Sequence, residues 1–250
     1  HQKDAIAAIK AGFIEHDRGK WISACGTGKT FTSLKLAEQL CEENGGSLKV
    51  LFLAPSISLV SQSLREWMAQ TQTTIRPLVV CSDTKAGRQA EDISTHDIPL
   101  PTTDAARLAD NLANIGRRGK QMVVVFSTYQ SIDVVAQAQR ESGQPFDLIL
   151  CDEAHRTTGV TLSGDTTESA FVKVHDNTYL PAGKRLYMTA TPRIYGDAVK
   201  AKADEAAAIL TSMDDEDTYG PEFHRLGFGE AVDEVAGDAP RDGGFLVGRP

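Results

Sequence analysis

The sequence contains no apolar run of the roughly 18 residues that a membrane-spanning helix needs, and this absence excludes an integral membrane protein. It contains only four cysteines, Cys25, Cys41, Cys81 and Cys151, which are far apart and include no Cys-x-x-Cys pair. Such sparse spacing argues against a zinc site and against a disulfide framework. A protein without disulfides is typical of a reducing compartment, and we therefore expect a cytoplasmic protein with no membrane partner.

The sequence also contains fewer positively charged than negatively charged residues. The 26 lysines and arginines are outnumbered by 34 aspartates and glutamates, which gives a net charge of −8. A domain that binds nucleic acid by charge alone is usually basic, so any such binding by this chain must use a local patch. The apolar fraction of 41% and the length of 250 residues are ordinary for a globular protein with a packed core.

Helical and strand-like segments alternate along most of the chain. Amphipathic periodicity predicts helices over 2–16, 29–43, 59–68 and 105–115, and short apolar runs predict strands over 20–24, 48–53, 77–81, 122–126, 146–151 and 185–189. A further helix is expected between the strands at 122–126 and 146–151, and a long polar loop over 82–104. Because strands separated by helices need crossover connections, the pattern predicts an α/β fold with a doubly wound, mainly parallel sheet and helices on both faces.

The character of the chain changes after Pro192. An Ala-rich segment predicts a helix over 197–209, and the acidic residues at 214–217 predict a solvated loop. Residues 237–250 are rich in Gly and Pro and contain few apolar side chains, which is typical of a flexible tail.

A glycine-rich turn, Ala-Cys-Gly-Thr-Gly-Lys-Thr over 24–30, lies between the first predicted strand and the helix that begins at Lys29. This is the context of a phosphate-binding loop, in which glycines turn backbone N–H groups inward and the helix N-terminus adds positive charge. The Lys29 ammonium can reach the β- and γ-phosphates of a nucleotide, and the Thr30 hydroxyl can hold Mg²⁺. The residues predicted to bind the nucleotide here are Gly26, Thr27, Gly28, Lys29 and Thr30. One departure from the common pattern is Ser23, which occupies the position of its first glycine.

Two adjacent carboxylates follow the buried strand predicted at 146–151. Asp152 and Glu153 are neighbours on an extended chain, so their side chains point apart and can take different roles. Asp152 can orient Mg²⁺ with its waters, and Glu153 can polarise an attacking water. A solvated acidic loop is the alternative for such a pair, but a nucleotide site at the carboxyl ends of parallel strands needs an acidic partner.

The combination of this glycine-rich loop with Asp-Glu-Ala-His at 152–155 resembles the DEAH-box type of superfamily 2 helicases and translocases. The resemblance covers most of the chain and implies a RecA-like P-loop NTPase domain that uses ATP and Mg²⁺. By the same resemblance Gln2 reads the adenine edge, and His155 links the Asp152 loop to Thr189. The implied catalytic residues are Lys29, Asp152, Glu153 and His155, with Thr30 and Asp152 as metal ligands.

Three further segments extend the resemblance to nucleic-acid binding. Residues 53–62 are similar to the family's motif Ia, and residues 126–130 are similar to its next strand-contacting motif. Thr-Ala-Thr at 189–191 is similar to motif III, which couples the nucleotide site to the strand. The implied nucleic-acid contacts are Pro55, Ser56, Gln62, Ser127, Thr128 and Tyr129, and the implied coupling residues are Thr189 and Thr191.

A narrower resemblance is to the helicase-type translocase of single-chain, Type ISP-like restriction-modification enzymes. It rests on Cys-Ser-Asp at 81–83, the segments at 99–104 and 219–232, and the runs FSTYQS, DEAHRTTG and KRLYMTATPRIY. It implies that the substrate is double-stranded DNA and that the parent protein hydrolyses ATP to move along it. Two alternatives stay open, an RNA helicase and a nucleotide-dependent nucleic-acid-binding module that moves no strand.

The family binds ATP in a cleft between two RecA-like domains. No stretch of this sequence resembles the Gln-x-x-Gly-Arg-x-x-Arg motif that supplies arginine fingers from the second domain. We therefore expect a first, ATP-binding RecA-like domain over 1–197, a helical and acidic connection over 198–236 toward a second RecA-like domain of the same parent chain, and a flexible tail over 237–250. Alone, a chain that carries one wall of the site is expected to be nearly inactive as an ATPase.

Overall fold

The computed structural model describes residues 1–81, 102–114, 119–162, 170–196, 199 and 208–227. Within these ranges the helices are α1 (Gln2–Glu15), α2 (Lys29–Glu43), α3 (Ile57–Gln70), α4 (Ala105–Ala113), α5 (Ile132–Ser142) and α6 (Glu216–Tyr219). The strands are β1 (Arg18–Ser23), β2 (Leu48–Ala54), β3 (Ile75–Val80), β4 (Met122–Thr128), β5 (Phe146–Cys151), β6 (Gly159–Leu162), β7 (Ala182–Thr189), β8 (Ala208–Thr211) and β9 (Glu222–Leu226). None of the helices in this described part has the length and apolar character to cross a bilayer.

Seven strands form one sheet in the order β3-β4-β2-β5-β7-β1-β9, and every neighbouring pair in it is parallel. Parallel neighbours cannot be joined by a hairpin, which explains the helices between consecutive strands. Every residue of β4 is buried, and nearly every residue of β5. Such continuous burial is expected for strands covered on both faces. The predicted doubly wound α/β architecture is confirmed.

Helices cover both faces of the sheet, and each face has its own core. The core under α1, α2 and α3 includes Ile9, Leu36, Trp67 and Phe52. The core under α4 and α5 includes Leu108, Val135, Val125 and Leu51. Neighbours such as Leu51 and Phe52 belong to different cores because successive side chains of a strand point to opposite faces.

The sheet continues beyond the domain boundary predicted at residue 197. β9 pairs in parallel with β1, with Lys20 opposite Glu222 and Ser23 opposite Leu226. Part of the predicted connection over 198–236 is therefore the edge strand of the main sheet. The sequence gives little sign of this strand, because Glu-Phe-His-Arg-Leu is short, partly exposed and carries charged residues.

A small antiparallel pair, β6 and β8, lies outside the main sheet. Because β8 begins at Ala208, the helix predicted over 197–209 is wrong at its end, where the Ala-rich sequence pairs with β6 instead. The rest of that segment, at 197–198 and 200–207, lies outside the described residues. So do most of the predicted polar loop, at 82–101, and the predicted tail at 237–250.

The Phe223 side chain fixes β9 against α1 and β1. Its ring lies between Gly12 of α1 and Gly19 of β1, where an added Cβ would come within 2.2 Å and 2.3 Å of ring carbons. It also packs edge-on against Phe13, with 5.1 Å between ring centroids. The two glycines therefore make the room for this ring, and α1, which begins at Gln2, is held at the edge of the sheet.

Candidate active site

Three strands bring the predicted site residues to one edge of the sheet. β7 lies between β1 and β5 and runs parallel to both, so the carboxyl ends of the three strands meet at the same edge. The glycine-rich loop follows β1, Asp152 follows β5, and Thr189 ends β7. Open parallel sheets bind their ligands at this edge.

Two glycines in the left-handed conformation shape the loop over 24–30. Gly26 has φ 80° and Gly28 has φ 81°, a region in which a side chain is strained. The helix α2 begins directly afterwards at Lys29, so its N-terminal N–H groups and partial positive charge adjoin the loop. This local structure is that of a phosphate-binding loop.

Side-chain hydrogen bonds close the loop on itself. The Lys29 ammonium donates to the carbonyls of Ser23, at 2.9 Å, and Ala24, at 3.1 Å. The Thr27 hydroxyl donates to the Ala24 carbonyl at 2.8 Å and lies 2.7 Å from the Ser23 hydroxyl. Ser23, where the common pattern has glycine, therefore contributes a side-chain hydrogen bond that glycine could not make.

The amide of Gln2 contacts the same loop. Its Nε2 donates to the Thr27 carbonyl at 3.2 Å, and a Cβ added at Gly28 would come within 2.6 Å of that nitrogen. The left-handed φ of 81° favours glycine at position 28, and the absence of a Cβ there leaves room for the Gln2 amide. This close approach places the amide of Gln2 beside the predicted phosphate site.

The backbone of Thr30 is held by α3. Its carbonyl accepts hydrogen bonds from the Trp67 indole N–H at 3.1 Å and from the Ser33 hydroxyl at 2.8 Å. Trp67 is fully buried. Sequence reasoning missed this role of Trp67, because nothing in an amphipathic helix distinguishes it from an ordinary core residue.

Asp152 begins the turn that follows β5. Its N–H donates to the Leu53 carbonyl at 2.8 Å, and its carbonyl accepts from the Tyr129 hydroxyl at 2.9 Å. Burial, reinforced by the Glu153 carboxylate, raises the pKa of Asp152 to about 6, against the opposing effects of a Glu153 backbone hydrogen bond and the Lys29 ammonium. A divalent cation beside this carboxylate would favour its ionised form.

Glu153 has a left-handed backbone, with φ 48° and ψ 46°, the one positive φ outside glycine among the described residues. Its carboxylate Oε2 lies 3.3 Å from His155 Nδ1. Burial lowers the pKa of His155, with Arg156 and Arg193 acting in the same direction and Glu153 opposing them. This direction favours the neutral form of the imidazole.

His155 also reaches the end of β7. Its Nδ1 lies 3.0 Å from the Thr189 hydroxyl, and this hydroxyl accepts from the Thr191 N–H at 3.2 Å. The structure thus brings Glu153, His155, Thr189 and Thr191 together in one line of polar contacts that joins the ends of β5 and β7.

The predicted nucleic-acid contacts at 53–62 differ in their accessibility. Gln62 is exposed on α3, where its amide donates to Glu66 at 2.8 Å. Ser56 is half-buried and caps α3, accepting from the Leu59 N–H at 3.4 Å. Pro55 is buried. In this segment the surface open to a ligand is centred on the first turns of α3.

The nucleic-acid contacts predicted at Ser127, Thr128 and Tyr129 fall on buried residues. Ser127, Thr128 and Tyr129 are 0%, 4% and 0% exposed. Their side chains lie in the core because β4 is buried along its whole length and the Tyr129 ring stacks on Phe171, with 5.1 Å between centroids. A contact from these three residues to a nucleic acid would have to come from their backbone, whereas the neighbouring Gln130 is exposed.

Thr30 and Asp152 could share a metal ion with a bound nucleotide. Within the described part of the chain, no group of three or more His, Cys, Asp and Glu side chains could hold a metal by itself. Mg²⁺ in nucleotide sites takes one or two protein ligands and completes its shell with phosphate oxygens and water. A hydroxyl at the start of α2 and a half-buried carboxylate at the end of β5 fit that pattern.

A parallel sheet with a phosphate-binding loop after one strand and an Asp-Glu pair after a nearby strand defines a RecA-like domain of the helicase type. Residues 1–194 match the family model described as "Type III restriction enzyme, res subunit", and the chain belongs to this family. The resemblance inferred from the motifs is therefore confirmed both for the family and for the fold.

Two solved structures are similar to the chain over 94% of its length. One is a nuclease-deletion mutant of the Type ISP restriction-modification enzyme LlaGI in complex with a DNA substrate mimic, with 42% identity and a TM-score of 0.76. The other is the ATP-dependent Type ISP restriction-modification enzyme LlaBIII bound to DNA, with 43% identity and a TM-score of 0.73. The chain spans 20% and 15% of the lengths of these two proteins. Comparison with curated proteins gave no match.

Proposed function

We propose that the chain is the ATP-binding and ATP-hydrolysing motor domain of a DNA helicase or double-stranded DNA translocase in a restriction-modification enzyme. The observation that carries this proposal is the identity of 42% and 43% with two Type ISP enzymes, each solved with DNA or a DNA mimic. A cytoplasmic setting accords with this function. It also accords with the cysteines, all four of which are described and none of which forms a disulfide.

The loop and the first turn of α2 bind the ATP phosphates in this proposal. Lys29 exchanges its hydrogen bonds to the Ser23 and Ala24 carbonyls for the β- and γ-phosphate oxygens. The loop N–H groups and the helix N-terminus add further donors. The Gln2 amide, which lies against the loop, recognises the adenine edge.

Hydrolysis depends on the carboxylates after β5. Mg²⁺, held by Thr30 and Asp152 when bound, supplies positive charge for the phosphate oxygens. Glu153 accepts a proton from the attacking water. The 3.3 Å contact from His155 Nδ1 restrains the Glu153 carboxylate, and its 3.0 Å contact with Thr189 connects this restraint to β7.

Double-stranded DNA is the proposed substrate of the motor. The segments at 53–62 and 126–130 contact its backbone, and Thr189 and Thr191 couple that contact to the nucleotide. The chain has a net charge of −8, which does not attract DNA over long distances. Its contacts with DNA are therefore mainly local hydrogen bonds. A second RecA-like domain of the same parent chain supplies the arginines that complete the ATP site.

The test is the ATPase rate of the full-length protein with duplex DNA, single-stranded DNA or RNA at equal nucleotide concentration, with Lys29→Ala as the inactive control. The proposal requires that duplex DNA stimulates the rate most. Stimulation by RNA alone would assign an RNA helicase, and ATP binding without stimulated turnover would assign a binding module. Displacement of a third strand from a triplex then measures movement along the duplex.

A further inference from the structure

Tyr129 joins the end of β4 to the catalytic turn after β5. It is fully buried, and its hydroxyl donates to the Asp152 carbonyl at 2.9 Å. The ring is held by stacking on Phe171, at 5.1 Å and 27° between planes. The donor is therefore a rigid group at a fixed place in the core, unlike a long side chain that could follow a moving acceptor.

The bond acts on the peptide that carries the left-handed residue. The carbonyl of Asp152 and the N–H of Glu153 belong to one planar peptide, so fixing this carbonyl fixes the plane from which the φ of Glu153 is measured. On the other side of Asp152, its N–H is fixed by the Leu53 carbonyl at 2.8 Å. Both sides of the residue before Glu153 are thus anchored to the sheet.

The φ of 48° at Glu153 is strained for a residue with a side chain. Such a backbone persists only where its surroundings enforce it. Relaxation to negative φ would rotate the Cα–Cβ direction of Glu153 and move its carboxylate from its place 3.3 Å from His155. The Tyr129 hydroxyl opposes this relaxation, because it holds the peptide that would have to turn.

We propose that Tyr129 is a positioning residue for ATP hydrolysis, whose hydroxyl holds the Asp152–Glu153 peptide so that the Glu153 carboxylate faces the attacking water. This role rests on the proposed ATPase function. It gives the segment at 126–130 a part in turnover that needs no exposed side chain.

The first experiment compares Tyr129→Phe with Tyr187→Phe in the full-length protein with duplex DNA. Tyr187 is an equally buried tyrosine whose hydroxyl bonds His175 instead, so the control also loses one buried hydroxyl. We expect Tyr129→Phe to lower kcat about 10-fold to 100-fold with KM for ATP unchanged, since misplacement of a reacting group costs rate and not binding. Tyr187→Phe should leave both within about twofold, with both variants assayed below their melting temperatures.

The second experiment is a double-mutant cycle with Glu153→Gln in single-turnover assays. If Tyr129 acts through Glu153, Tyr129→Phe lowers the rate in the wild-type background and leaves the Glu153→Gln rate unchanged. Additive losses, or a loss of kcat no larger than that of Tyr187→Phe, would overturn the positioning role. A wild-type protein that DNA does not stimulate would contradict the proposed function itself, so the two failures are distinguishable.

Discussion

Lys29 is the residue proposed to bind the nucleotide phosphates, and its ammonium is held at the loop by hydrogen bonds to two loop carbonyls. We expect Lys29→Ala to weaken ATP·Mg²⁺ binding by about 10-fold to 100-fold, because a charge-assisted hydrogen bond contributes about 1.5–3 kcal/mol. Isothermal titration calorimetry measures the affinity. The matched control is Lys35→Ala on the same helix, whose ammonium pairs with Glu38 at 2.8 Å. Equal affinities for the two variants would remove Lys29 from the site.

Glu153 is the proposed base, so its loss should affect turnover more than binding. We expect Glu153→Gln in the full-length protein to retain ATP affinity and to lose about 10²–10⁴-fold in kcat, because the amide keeps the shape but accepts no proton. Steady-state ATPase assays with duplex DNA measure kcat. The control is Glu42→Gln at the exposed end of α2. Retention of more than about half the wild-type rate would contradict the role, given the size of the effect of a general base.

The predicted parallel strands placed Lys29 and Asp152 at the same end of the sheet, and the resemblance to DEAH-box helicases linked the Asp152 loop to Thr189 at the end of β7. The sequence could not predict the left-handed φ of Glu153 or the inward direction of Tyr129. Both lie at contacts between segments that are distant in sequence, the Tyr129–Asp152 hydrogen bond and the stacking of Tyr129 on Phe171, and no local pattern signals such contacts.

Among the elements, the strands with continuous apolar runs, from β2 to β7 in the main sheet, were predicted within a few residues. β9 was not, because an edge strand is unpaired along one side and often carries charged residues. The short pair β6 and β8 was missed for a related reason. Four-residue strands carry too few alternations to be distinguished from a helix or a loop.

Because the Phe223 ring fills the space between α1 and β1, the addition of a single methyl group at Gly12 should destabilise the fold. Gly12→Ala should lower the free energy of unfolding by about 1–3 kcal/mol through overpacking, which exceeds the gain of up to about 1 kcal/mol in helix propensity. The Phe223 ring cannot move away from Gly12, because Gly19 lies equally close to the other side of the ring. Urea denaturation monitored by circular dichroism measures the change.

Gly196→Ala is the control for this substitution. A Cβ at Gly196 would meet no atom within 4 Å, so Gly196→Ala should change the free energy of unfolding by no more than about 0.5 kcal/mol. If Gly12→Ala and Gly196→Ala unfold at the same urea concentration, the packing described for Phe223 is wrong.

The imidazole of His175 is expected to make the free energy of unfolding depend on pH. Its Nε2 lies 3.1 Å from the Thr157 carbonyl and its Nδ1 lies 2.8 Å from the Tyr187 hydroxyl. Burial, with Arg185 and Arg18 adding to it, lowers the pKa of His175 to about 4. Between pH 6.5 and 4 the unfolded chain therefore takes up a proton that the native chain does not, and stability falls by about 3 kcal/mol as the pH falls through this window.

Comparison with His175→Gln isolates this effect from the opposite one at Asp152, whose raised pKa stabilises the native state as the pH falls from about 6. We expect the difference in unfolding free energy between wild type and His175→Gln to shrink steadily from pH 7 to pH 4. Urea denaturation at several pH values measures it. Parallel stability curves for the two proteins would show that His175 titrates in the folded state as it does in the unfolded one.

On the scale of the whole molecule, the chain should be a poor ATPase when isolated, even with DNA. It contains no match to the Gln-x-x-Gly-Arg-x-x-Arg motif, and an arginine finger contributes about 10³–10⁵-fold to phosphoryl transfer. Its binding to DNA should be weak and only shallowly dependent on salt, because few phosphates are neutralised. A turnover of about 1–10³ per second by the isolated chain, measured with a coupled assay, would show that a complete site lies within it.

The position of β1 in the sheet has a consequence for how the molecule folds. β1 is synthesised before both of its neighbours, β7 and β9, which come from residues 182–189 and 222–226. Contacts between distant segments form slowly, because the entropy of closing the chain must be overcome before they contribute. The loop after β1 is further tied to the end of β9 by the hydrogen bond from the Ala24 N–H to the Leu226 carbonyl. We therefore expect the phosphate-binding loop to reach its final structure late in folding, after β2, β4 and β5 have formed the centre of the sheet.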